Sequence, residues 1–405
     1  MSNPASAPPP PNRISGDRDA TQPQETPRTQ AQPQNATTAE NPGEAEQWRE
    51  FCRALEKAGE VLLRDSAPDT PLDRAEGLRY LARLTREMLY TCVDNADPDF
   101  PRLHEPDLVK IGADNPDNVY LSANIRGDRS YRITGRRGSI AYFSIGSKAN
   151  RYAKDGTMAS TGELTDADLV VEPDGTVEII ASATEQGRNW LPLAPDSTGL
   201  VVRQTYLDRA TETPGQWHIE RIGAPAEPPP LTPEFMAGAL RRAALAAHGT
   251  AATFAGWAEL FTTRPNELPD FGQNMFQRAG GDPEIHYLHG YWTLRPDQAW
   301  LIEVAVPDCP YWNFQLNNWW MESLDHRRRI SVNKHTATVR DGQLTIVVAA
   351  RDPGVGNWID TCDHRSGTAL LRWLGADEHP VPRCRVVDLE SLAAGRITPS
   401  TGEGR

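Results

Sequence analysis

One sequence pattern occurs twice in this chain, and it constrains the fold more than any other feature. Residues 287–373 contain an ordered set of anchors, and residues 120–203 contain a weaker copy of it. The matched anchors, earlier copy first, are Tyr120 and Tyr287, Tyr131-Arg132-Ile133 and Trp300-Leu301-Ile302, Asp174-Gly175 and Asp341-Gly342, Asn189-Trp190 and Asn357-Trp358, Gly199 and Gly367, and Arg203 and Arg372. Their order and spacing agree over about 85 residues, the size of a small domain. We therefore predict two related modules.

Each copy reads as a series of short strands. Runs rich in Ile, Val, Tyr and Thr are separated by Gly and Asp turns, and Asp-Gly between such runs is a strong hairpin signal. Many short strands with regular turns favour a sandwich, a barrel or a jelly roll. We predict a mainly β protein with flanking helices, an α+β fold. Two related antiparallel β-sandwich or jelly-roll modules would each be preceded by a helical pair.

Apolar residues at helical spacing predict the helices. The first stripe is Trp48, Phe51, Cys52, Leu55, Ala58 and Leu62, and the second is Leu78, Leu81, Leu84, Met88, Leu89 and Cys92. Both stripes are expected to contact the β modules. Thr232-Pro233 predicts the start of a later helix, because Thr suits the N-cap and Pro the first helical position. His248-Gly249-Thr250 predicts its end, and residues 254–261 predict another helix.

Shifts in composition predict the domain boundaries. Residues 1–43 contain almost nothing apolar, so they cannot bury enough surface to offset the entropy of ordering them. The predicted segments are this disordered Pro- and Gln-rich tail (1–43), a helical hairpin (44–93), the first β module (112–208), a Pro-rich linker (209–230), a helical segment (231–264), the second β module (282–390) and a loose C-terminal tail (391–405).

Composition excludes several classes of function. The formal net charge is -13 and the pI is near 5.2, whereas nucleic-acid-binding proteins usually carry a basic patch. No apolar run approaches the roughly 20 residues that span a bilayer, and the N-terminus lacks a signal-peptide layout. The five cysteines are odd in number and scattered, which fits reduced thiols. We predict a cytoplasmic protein with neither nucleic-acid nor membrane partners.

Features present in one copy only are the better functional candidates, because shared features maintain the common scaffold. The scaffold interpretation is favoured for Asn357, Trp358 and Arg372, although a ligand role is compatible with it. In the second copy, residues 311–320 concentrate amides and aromatic rings. Alternate residues of a strand share a face, so Asn313, Gln315 and Asn317 would lie opposite the aromatic residues. Such a strand suits the wall of a polar pocket, and the alternative is an edge strand with a polar solvent face.

A loop unique to the second copy contains an acid, an imidazole and a guanidinium. His364 is suited to acid or base chemistry near neutral pH, and Arg365 offers a fork for a carboxylate or phosphate. Asp360 would set the tautomer of His364. The alternative is an ion-pair network that only fixes the loop. Glu322, Asp325 and His326 form a second such group. The predicted ligand-binding residues are Trp358, Asn357, Trp312, Asn313, Gln315, Asn317, Trp319, Trp320, His326 and Arg372.

Metal binding is a rival interpretation. His286 and His289 lie three residues apart, and on a strand they would face opposite sides, which makes joint ligation awkward. The pair of His residues one apart that cupin-like jelly rolls use is absent. Neither a nucleotide-binding loop nor a Gly-x-Ser-x-Gly elbow occurs. We therefore assign no metal ligand and predict no cofactor.

Several of these residues resemble motifs of a bacterial family. The resembling pieces are residues 112–118 with Tyr120, residues 131–135, and residues 357–361 with 364–367; the last is the most specific. In them the chain is similar to the domain of unknown function 1214, often found with its companion family 1254. The resemblance spans roughly residues 112 to 373 and makes 282–390 the 1214-like module. It implies an antiparallel β-sandwich or jelly-roll fold and no settled activity.

These patterns lead to one functional hypothesis and two alternatives. The protein would bind, and as an enzyme transform by acid–base chemistry, a small partly apolar or aromatic molecule with an anionic or carbonyl group. His364 would be the acid or base and Arg365 would hold the anionic group. The alternatives are a non-catalytic interaction or scaffold protein and a metal-dependent jelly-roll enzyme. The sequence leaves open the substrate, the existence of a catalytic activity and the formation of a homo-oligomer.

Overall fold

The computed structural model of the protein describes residues 42–106, 108–155 and 157–398. Nearly all of the tail predicted for residues 1–43 lies outside the described residues, as does the end of the tail predicted for 391–405. The first helices are α1 (Pro42–Glu60), followed by a 3-10 turn (Val61–Leu63), and α2 (Pro71–Leu89), followed by a π turn (Tyr90–Asp94). Thr70 caps α2, because its hydroxyl accepts a hydrogen bond from the Asp73 N–H at 3.2 Å.

The buried face of α2 matches only part of the apolar stripe that the sequence predicted, namely Leu84 and the partly buried Met88. Leu78 of that stripe is 67% exposed. The residues that α2 buries are Asp73, Glu76, Gly77, Tyr80, Leu84 and Glu87. Carboxylates can be buried when partners satisfy them. Asp73 accepts from the Thr70 hydroxyl, Glu87 lies 3.3 Å from His104 Nε2, and Glu76 meets the partners described below. The helix therefore turns a row of acids toward the protein interior.

The first β module is a sandwich of two sheets. Its elements are β1 (Asn118–Asn124), β2 (Tyr131–Gly138), β3 (Tyr142–Asn150), the one-turn helix α3 (Tyr152–Asp155), β4 (Met158–Thr165), β5 (Thr176–Ser182), β6 (Trp190–Pro192), β7 (Gly199–Thr205) and β8 (Pro214–Arg221). One sheet, with the order β1-β7-β3-β4, contacts the segment that precedes the other module and is called the inner sheet. The other sheet, with the order β6-β5-β2-β8, is called the outer sheet. The ladders are antiparallel apart from β5–β6, which is parallel.

Helix α4 (Pro233–Phe261) and the short helix α5 (Gln273–Arg278) follow. Thr232 and Pro233 begin α4 as predicted, but the end predicted at His248-Gly249-Thr250 is wrong, because α4 continues through it. A single Gly costs a helix only about 1 kcal/mol, and the buried alanines on either side of it, which include Ala247 and Ala251, outweigh that cost. In the part of the chain that the structure describes, no helix combines the length and apolar character that crossing a membrane requires.

The second β module repeats this architecture. Its elements are β9 (Ile285–Thr293), β10 (Gln298–Ala305), β11 (Tyr311–Leu316), β12 (Ser331–Asn333), β13 (Val339–Arg340), β14 (Gln343–Ala349), β15 (Asn357–Asp360), β16 (Ser366–Leu374), β17 (Arg383–Asp388) and helix α6 (Leu389–Ala393). Its inner sheet has the order β9-β16-β11-β12. In its outer sheet, β14 pairs with β10, β13 and, in parallel, β15, while β10 also pairs with β17.

The two modules share one strand order. The inner sheet β9-β16-β11-β12 corresponds to β1-β7-β3-β4, and β15-β14-β10-β17 corresponds to β6-β5-β2-β8. Each core lies between the two sheets of its module. The prediction of a mainly β, α+β protein with two β modules is confirmed.

The matched Asn-Trp pairs perform matched structural tasks. Asn189 donates to the carbonyls of Val170 and Glu178, and Asn357 donates in the same way to those of Thr338 and Thr345. The indole N–H of Trp190 donates to Ser182 O at 3.0 Å, and that of Trp358 donates to Ala349 O at 3.0 Å. These contacts hold the parallel strand of each outer sheet in place, which favours the scaffold interpretation.

The loop before each module docks on the inner sheet of the other. Arg203 of β7 donates to Gly280 O at 3.0 Å and lies 3.5 Å from the Asp282 carboxylate. Arg372 of β16 donates to Ala113 O and, at 3.1 Å, to Asn313 Oδ1. The equivalent arginines therefore join the two modules through reciprocal contacts.

Candidate functional site

Three segments meet at the buried face of α2, beside the inner sheet of the second module. Glu76 lies on α2, Glu322 lies in the loop after β11, and His364 lies in the loop after β15. The i, i+3 and i+7 spacing of Glu76, Arg79 and Arg83 places these side chains along one side of the helix. We define the acid–base cluster as Glu76, Arg79, Arg83, Asn318, Glu322 and His364.

His364 and Glu76 form a buried ion pair. Nε2 of His364 lies 2.8 Å from Glu76 Oε2, and its Nδ1 lies 3.0 Å from the Thr361 carbonyl oxygen. Burial opposes the charge of His364, but the hydrogen bond and charge of Glu76 outweigh it and raise the pKa of the imidazole. Burial likewise opposes the charge of Glu76, but His364 brings the pKa of that carboxyl below its usual range. The pairing therefore favours the charged form of each group.

Glu322 behaves in the opposite way. It is 1% exposed, and burial raises its pKa although Arg83 lies 3.3 Å and Arg79 lies 3.5 Å from its carboxyl oxygens. Asn318 Nδ2 donates to Glu76 Oε2 at 3.1 Å and to Glu322 Oε2 at 2.9 Å. Two carboxyl groups that share one amide thus have pKa values shifted in opposite directions, an arrangement typical of acid–base pairs.

A second group of polar side chains adjoins the cluster. Lys110 Nζ donates to the carbonyls of Ser323 and Leu324 and lies 3.2 Å from His326 Nε2. The Ser323 hydroxyl lies 2.7 Å from His326 Nε2 and donates to Asp114 at 2.7 Å. Burial, and then the charge of Lys110, lowers the pKa of His326. His326 is therefore a neutral side chain beside a cation, at the exposed edge of the site.

Strained backbone positions and unsatisfied polar atoms occur next to the cluster, as they do elsewhere in the described residues. Positive φ angles occur at Met321 (58°), Cys362 (52°) and Asp363 (68°), next to Glu322 and His364 in the chain. Such conformations cost on the order of 1 kcal/mol each and occur preferentially at functional sites. Within the described residues, three nearby buried polar atoms have no hydrogen-bond partner: Tyr80 OH, Trp319 Nε1 and Thr361 Oγ1.

The structure separates the three residues that the sequence predicted to be catalytic. His364 belongs to the cluster. Asp360 does not orient it, because its carboxylate is held by Arg328 Nε at 2.7 Å and Arg328 Nη2 at 2.9 Å. The left-handed Cys362 and Asp363 turn the chain between them, so Glu76 takes the place expected for Asp360. Arg365 is exposed and lies with Arg295 at an open depression of about 440 Å³, apart from His364.

The polar face of β11 lies at the joint between the modules. Asn313 donates to Asn115 Oδ1 at 2.8 Å, and Gln315 donates to Asp114 O at 2.8 Å and to Asn317 Oδ1 at 2.5 Å. The predicted alternation is present, because Trp312, Phe314 and Leu316 lie in the sandwich core. The loop of residues 113–117 covers the amides, so they neither face solvent nor line an open pocket. Arg372 lies in the same network.

The predicted aromatic ligand contacts are engaged in packing. Trp312 is buried between the sheets of the second module, and Trp319 and Trp320 pack against α2 and α4. The Trp320 indole N–H donates to Asp73 O at 3.1 Å. Trp358 packs on the outer side of the second module near α6, and Asn357 holds the loop beneath it. The structure thus places these rings apart from the acid–base cluster, except for Trp319 and Trp320 behind it.

The histidines of the rival metal hypothesis point to opposite faces of β9. His289 is buried against Trp257, Phe261 and Phe276, whereas His286 stacks on His379 at 4.0 Å. Among residues 42–106, 108–155 and 157–398, no group of three or more His, Cys, Asp or Glu side chains is arranged to hold a metal ion.

Sequence reasoning missed the contribution of α2. Glu76, Arg79 and Arg83 look like the solvated face of an amphipathic helix until the buried face is known. One signal was available: Asp73, Glu76, Tyr80, Leu84 and Glu87 recur at helical spacing beside Gly77. An acid stripe that contains a Gly and a Tyr is less typical of a purely solvated face.

Comparison with known proteins places the chain in a family. The model of the protein family of unknown function DUF1214 matches residues 121–206, in the first module. A crystal structure of an uncharacterised protein from Burkholderia cenocepacia is 49% identical, with a TM-score of 0.84, over 86% of this chain and 98% of that one.

The VPA0106 protein from Vibrio parahaemolyticus is 12% identical, with a TM-score of 0.47, over 83% of this chain and 100% of that one. No curated protein matches the chain. Because the DUF1214 model matches residues 121–206 and a relative that the chain covers almost completely is 49% identical over the aligned part, the chain belongs to the DUF1214 family of bacterial proteins of unknown function.

Proposed function

We propose that the protein is an enzyme that transforms a small molecule with an anionic or carbonyl group by acid–base chemistry at the acid–base cluster. One observation supports this most. Burial raises the pKa of Glu322, whereas His364 brings the pKa of Glu76 down against its burial, and the same Asn318 amide holds both groups. A raised pKa favours the protonated carboxyl that can donate a proton, and a lowered pKa favours the ionised carboxylate that can accept one.

The cluster suggests a role for each residue. Glu322 is the proton donor, and Glu76, paired with His364, is the acceptor. Arg79 and Arg83 border the buried carboxyls and reach solvent, so they contact the anionic or carbonyl oxygen of the substrate. His326 and Lys110 lie at the edge of the same site. Because the tryptophans pack in cores, the proposed substrate is smaller and more polar than the aromatic molecule suggested by the sequence.

A ligand screen followed by a conversion assay tests the proposal. Small carboxylic acids, keto acids, sugar phosphates and aldehydes are screened for thermal stabilisation, and each stabilising compound is then incubated with the protein and followed by proton NMR. We expect conversion by the wild type and by Arg132→Ala, a control on the outer sheet of the first module. Conversion should be lost in Glu322→Gln and His364→Gln. If no compound is converted, or if both variants convert it at the wild-type rate, the proposal fails.

A second candidate is an interaction protein. Trp48, Leu63 and Leu245 are large apolar side chains exposed on or beside α1 and α4. Such side chains can form part of a protein–protein interface, including one between copies of this chain. Native mass measurement of the wild type and of Trp48→Ser with Leu245→Ser tests this candidate. A wild-type oligomer that the substitutions dissociate would support it, and a monomer at micromolar concentration would speak against self-association.

We also infer that the modules arose by internal duplication. The shared strand order and the equivalent Asn189 and Asn357 contacts support this inference. Cytoplasmic location and a small-molecule partner stay predictions of the sequence.

A further inference from the structure

Two arginines lie beside the buried Glu322 carboxyl and reach toward solvent, and a third cation, Lys110, lies close to them. The Arg79 side chain is 48% exposed and the Arg83 side chain is 26% exposed, while Glu322 beneath them is almost fully buried. Burial lowers the pKa of Lys110, and the charges of Arg83 and Arg79 contribute to that shift, so the three cations are close enough to repel one another. Glu322 is the carboxyl that both arginines share.

An unsatisfied hydroxyl provides an independent sign of a missing polar partner. Tyr80 is 1% exposed, and its OH has no hydrogen-bond partner within the described part of the chain. Tyr80 lies one turn after Glu76 on the buried face of α2, and its ring stacks on that of Trp320, two residues before Glu322. Burial, and then the charge of Glu322, raises the pKa of Tyr80. A buried hydroxyl without a partner is unfavourable, so a polar guest or a water molecule at this position would be stabilising.

We propose that Arg79 and Arg83, supported by the nearby charge of Lys110, bind a small oxyanion, a carboxylate or a phosphate, and that Glu322 takes up one proton from solvent as the anion binds. The proposal rests on the function proposed above. It adds the class of substrate, and it explains how Glu322, the proposed donor, acquires its proton. Arginine forks suit planar or tetrahedral oxyanions, and the exposed guanidinium groups are accessible to them.

Charge balance explains why the two events are coupled. Without an anion, the Glu322 carboxylate is the countercharge of Arg79 and Arg83. An incoming oxyanion supplies that countercharge, and a second negative charge beside it would be repelled within a buried site. Protonation of Glu322 removes the repulsion, and the proton stays on the group that is to donate it.

The other charged groups around Glu322 favour the same direction. Helix α2 presents Glu76, Arg79, Arg83 and Tyr80 to Glu322. The segment before β1 places Lys110 and Asp114 nearby. His364, in the loop after β15, neutralises Glu76. Glu76 keeps its own cation when Glu322 becomes neutral. The site then carries the excess positive charge that an anion requires.

Titration calorimetry with sulfate tests the coupling, because sulfate does not change its charge between pH 5 and 9. We expect the affinity to fall about tenfold per pH unit above the pKa of Glu322 in the free protein, and repeats in buffers of different ionisation enthalpy to give an uptake of about one proton. Succinate and inorganic phosphate, compared at one pH and one ionic strength, then distinguish a carboxylate from a phosphate ligand.

Variants test the roles of Glu322 and of the arginines in sulfate binding separately. Glu322→Gln imitates the protonated carboxyl, so it should bind sulfate with no pH dependence and no proton uptake. Arg83→Ala should weaken binding at least tenfold, and Arg132→Ala should bind as the wild type does. Circular dichroism confirms folding, and Glu322→Asp replaces Glu322→Gln if the latter misfolds, in which case retained pH dependence is expected.

Several outcomes would overturn the inference. They are the lack of binding by any of the three anions, binding without proton uptake in the wild type, and unchanged pH dependence in Glu322→Gln. These results concern binding alone. The proposed enzyme would still stand if the NMR conversion assay detected a His364-dependent reaction of an uncharged carbonyl compound, so the two failures are distinguishable.

Discussion

At the scale of single residues, burial decides what each ionisable group contributes. The same low-dielectric environment acts on Glu76 and Glu322, but Glu76 gains the imidazole of His364, whereas Glu322 shares two partly solvated arginines. A buried charge is favourable only when its partners compensate for desolvation. The compensation is complete for Glu76 and incomplete for Glu322, as the directions of their pKa shifts indicate.

Neutralising these two glutamates should therefore have unequal effects on stability. The stabilisation that ionised Glu76 contributes to the folded state is present above about pH 4.3 and is lost as pH falls through its lowered pKa. The stabilisation that protonated His364 contributes to the folded state is present below about pH 6.5 and is lost as pH rises through its raised pKa. At pH 6, Glu76→Gln should lower the free energy of unfolding by about 2 kcal/mol, and Glu322→Gln by less. Urea unfolding measures both, and equal losses would contradict the assignment.

His289 should make the fold sensitive to acid. Burial, and then the charge of Arg372, lowers the pKa of this imidazole well below its usual range, and Nδ1 has no partner within the described residues. The unfolded chain binds the proton that the folded chain refuses, so this stability is complete above about pH 6.5 and falls below it. His289→Phe should reduce the slope of stability against pH by up to about 1.4 kcal/mol per unit. Urea unfolding from pH 7 to 5 measures it; the exposed His248→Ala should keep the wild-type slope.

The sequence indicated some of these residues and concealed others. His364 stood out because the earlier copy has no equivalent imidazole, and the structure gives it a carboxylate partner. That partner is 288 residues away in the chain, so the adjacent Asp360 was the natural choice. Local sequence cannot tell that Arg328 holds Asp360, because the pairing depends on how two loops meet.

At the scale of elements, the site depends on how closely α2 approaches the loop after β11. Gly77 makes this approach possible, because a Cβ there would lie 2.8 Å from Cζ2 of Trp320. Trp320 cannot move easily, since it is buried and its indole N–H donates to Asp73 O. This contact fixes the distance between α2 and the second module, and with it the position of Glu76 relative to Asn318 and His364.

Adding a methyl group at Gly77 should consequently separate α2 from the second module. Gly77→Ala gains helix propensity but forces Trp320 to shift, and we expect a net loss of about 1–3 kcal/mol. Gly59→Ala in α1 is the matched control, because its Cβ would meet nothing within 4 Å, and it should gain about 0.5–1 kcal/mol. Thermal unfolding measures both, and a stabilised Gly77→Ala would show that the helix is not seated against this ring.

The elements were predictable to different degrees for physical reasons. Strands joined by Asp-Gly turns can be predicted from local sequence, and the internal repeat predicts that the two modules are related. The buried face of α2 was predicted only in part, because hydrophobic periodicity assumes that acids face water, and here they meet buried partners. The end predicted inside α4 failed because tertiary packing overrides one Gly.

At the scale of the whole molecule, the modules are joined by exchange of their leading loops. The loop around Ala113 satisfies Arg372, and the loop around Gly280 satisfies Arg203. Tyr311 extends the joint, because its hydroxyl donates to Asp117 at 2.7 Å. Each buried arginine therefore has partners both in its own module and in the segment that precedes the other module. This mutual dependence predicts that the two related modules unfold as one cooperative unit.

Removing either arginine should destabilise both modules together. Arg372→Ala and Arg203→Ala each leave buried polar groups without a cation, and we expect each to lower the free energy of unfolding by about 3 kcal/mol. Arg132→Ala, on a solvated outer sheet between Glu178 and Glu220, should change it by less than about 0.5 kcal/mol. Hydrogen exchange followed by mass spectrometry resolves the modules through β7 and β16. Arg372→Ala should accelerate exchange in both strands by similar factors, because global unfolding then exposes them together. Acceleration confined to β16 would mean that the second module opens alone and that the exchanged loops do not couple the two halves.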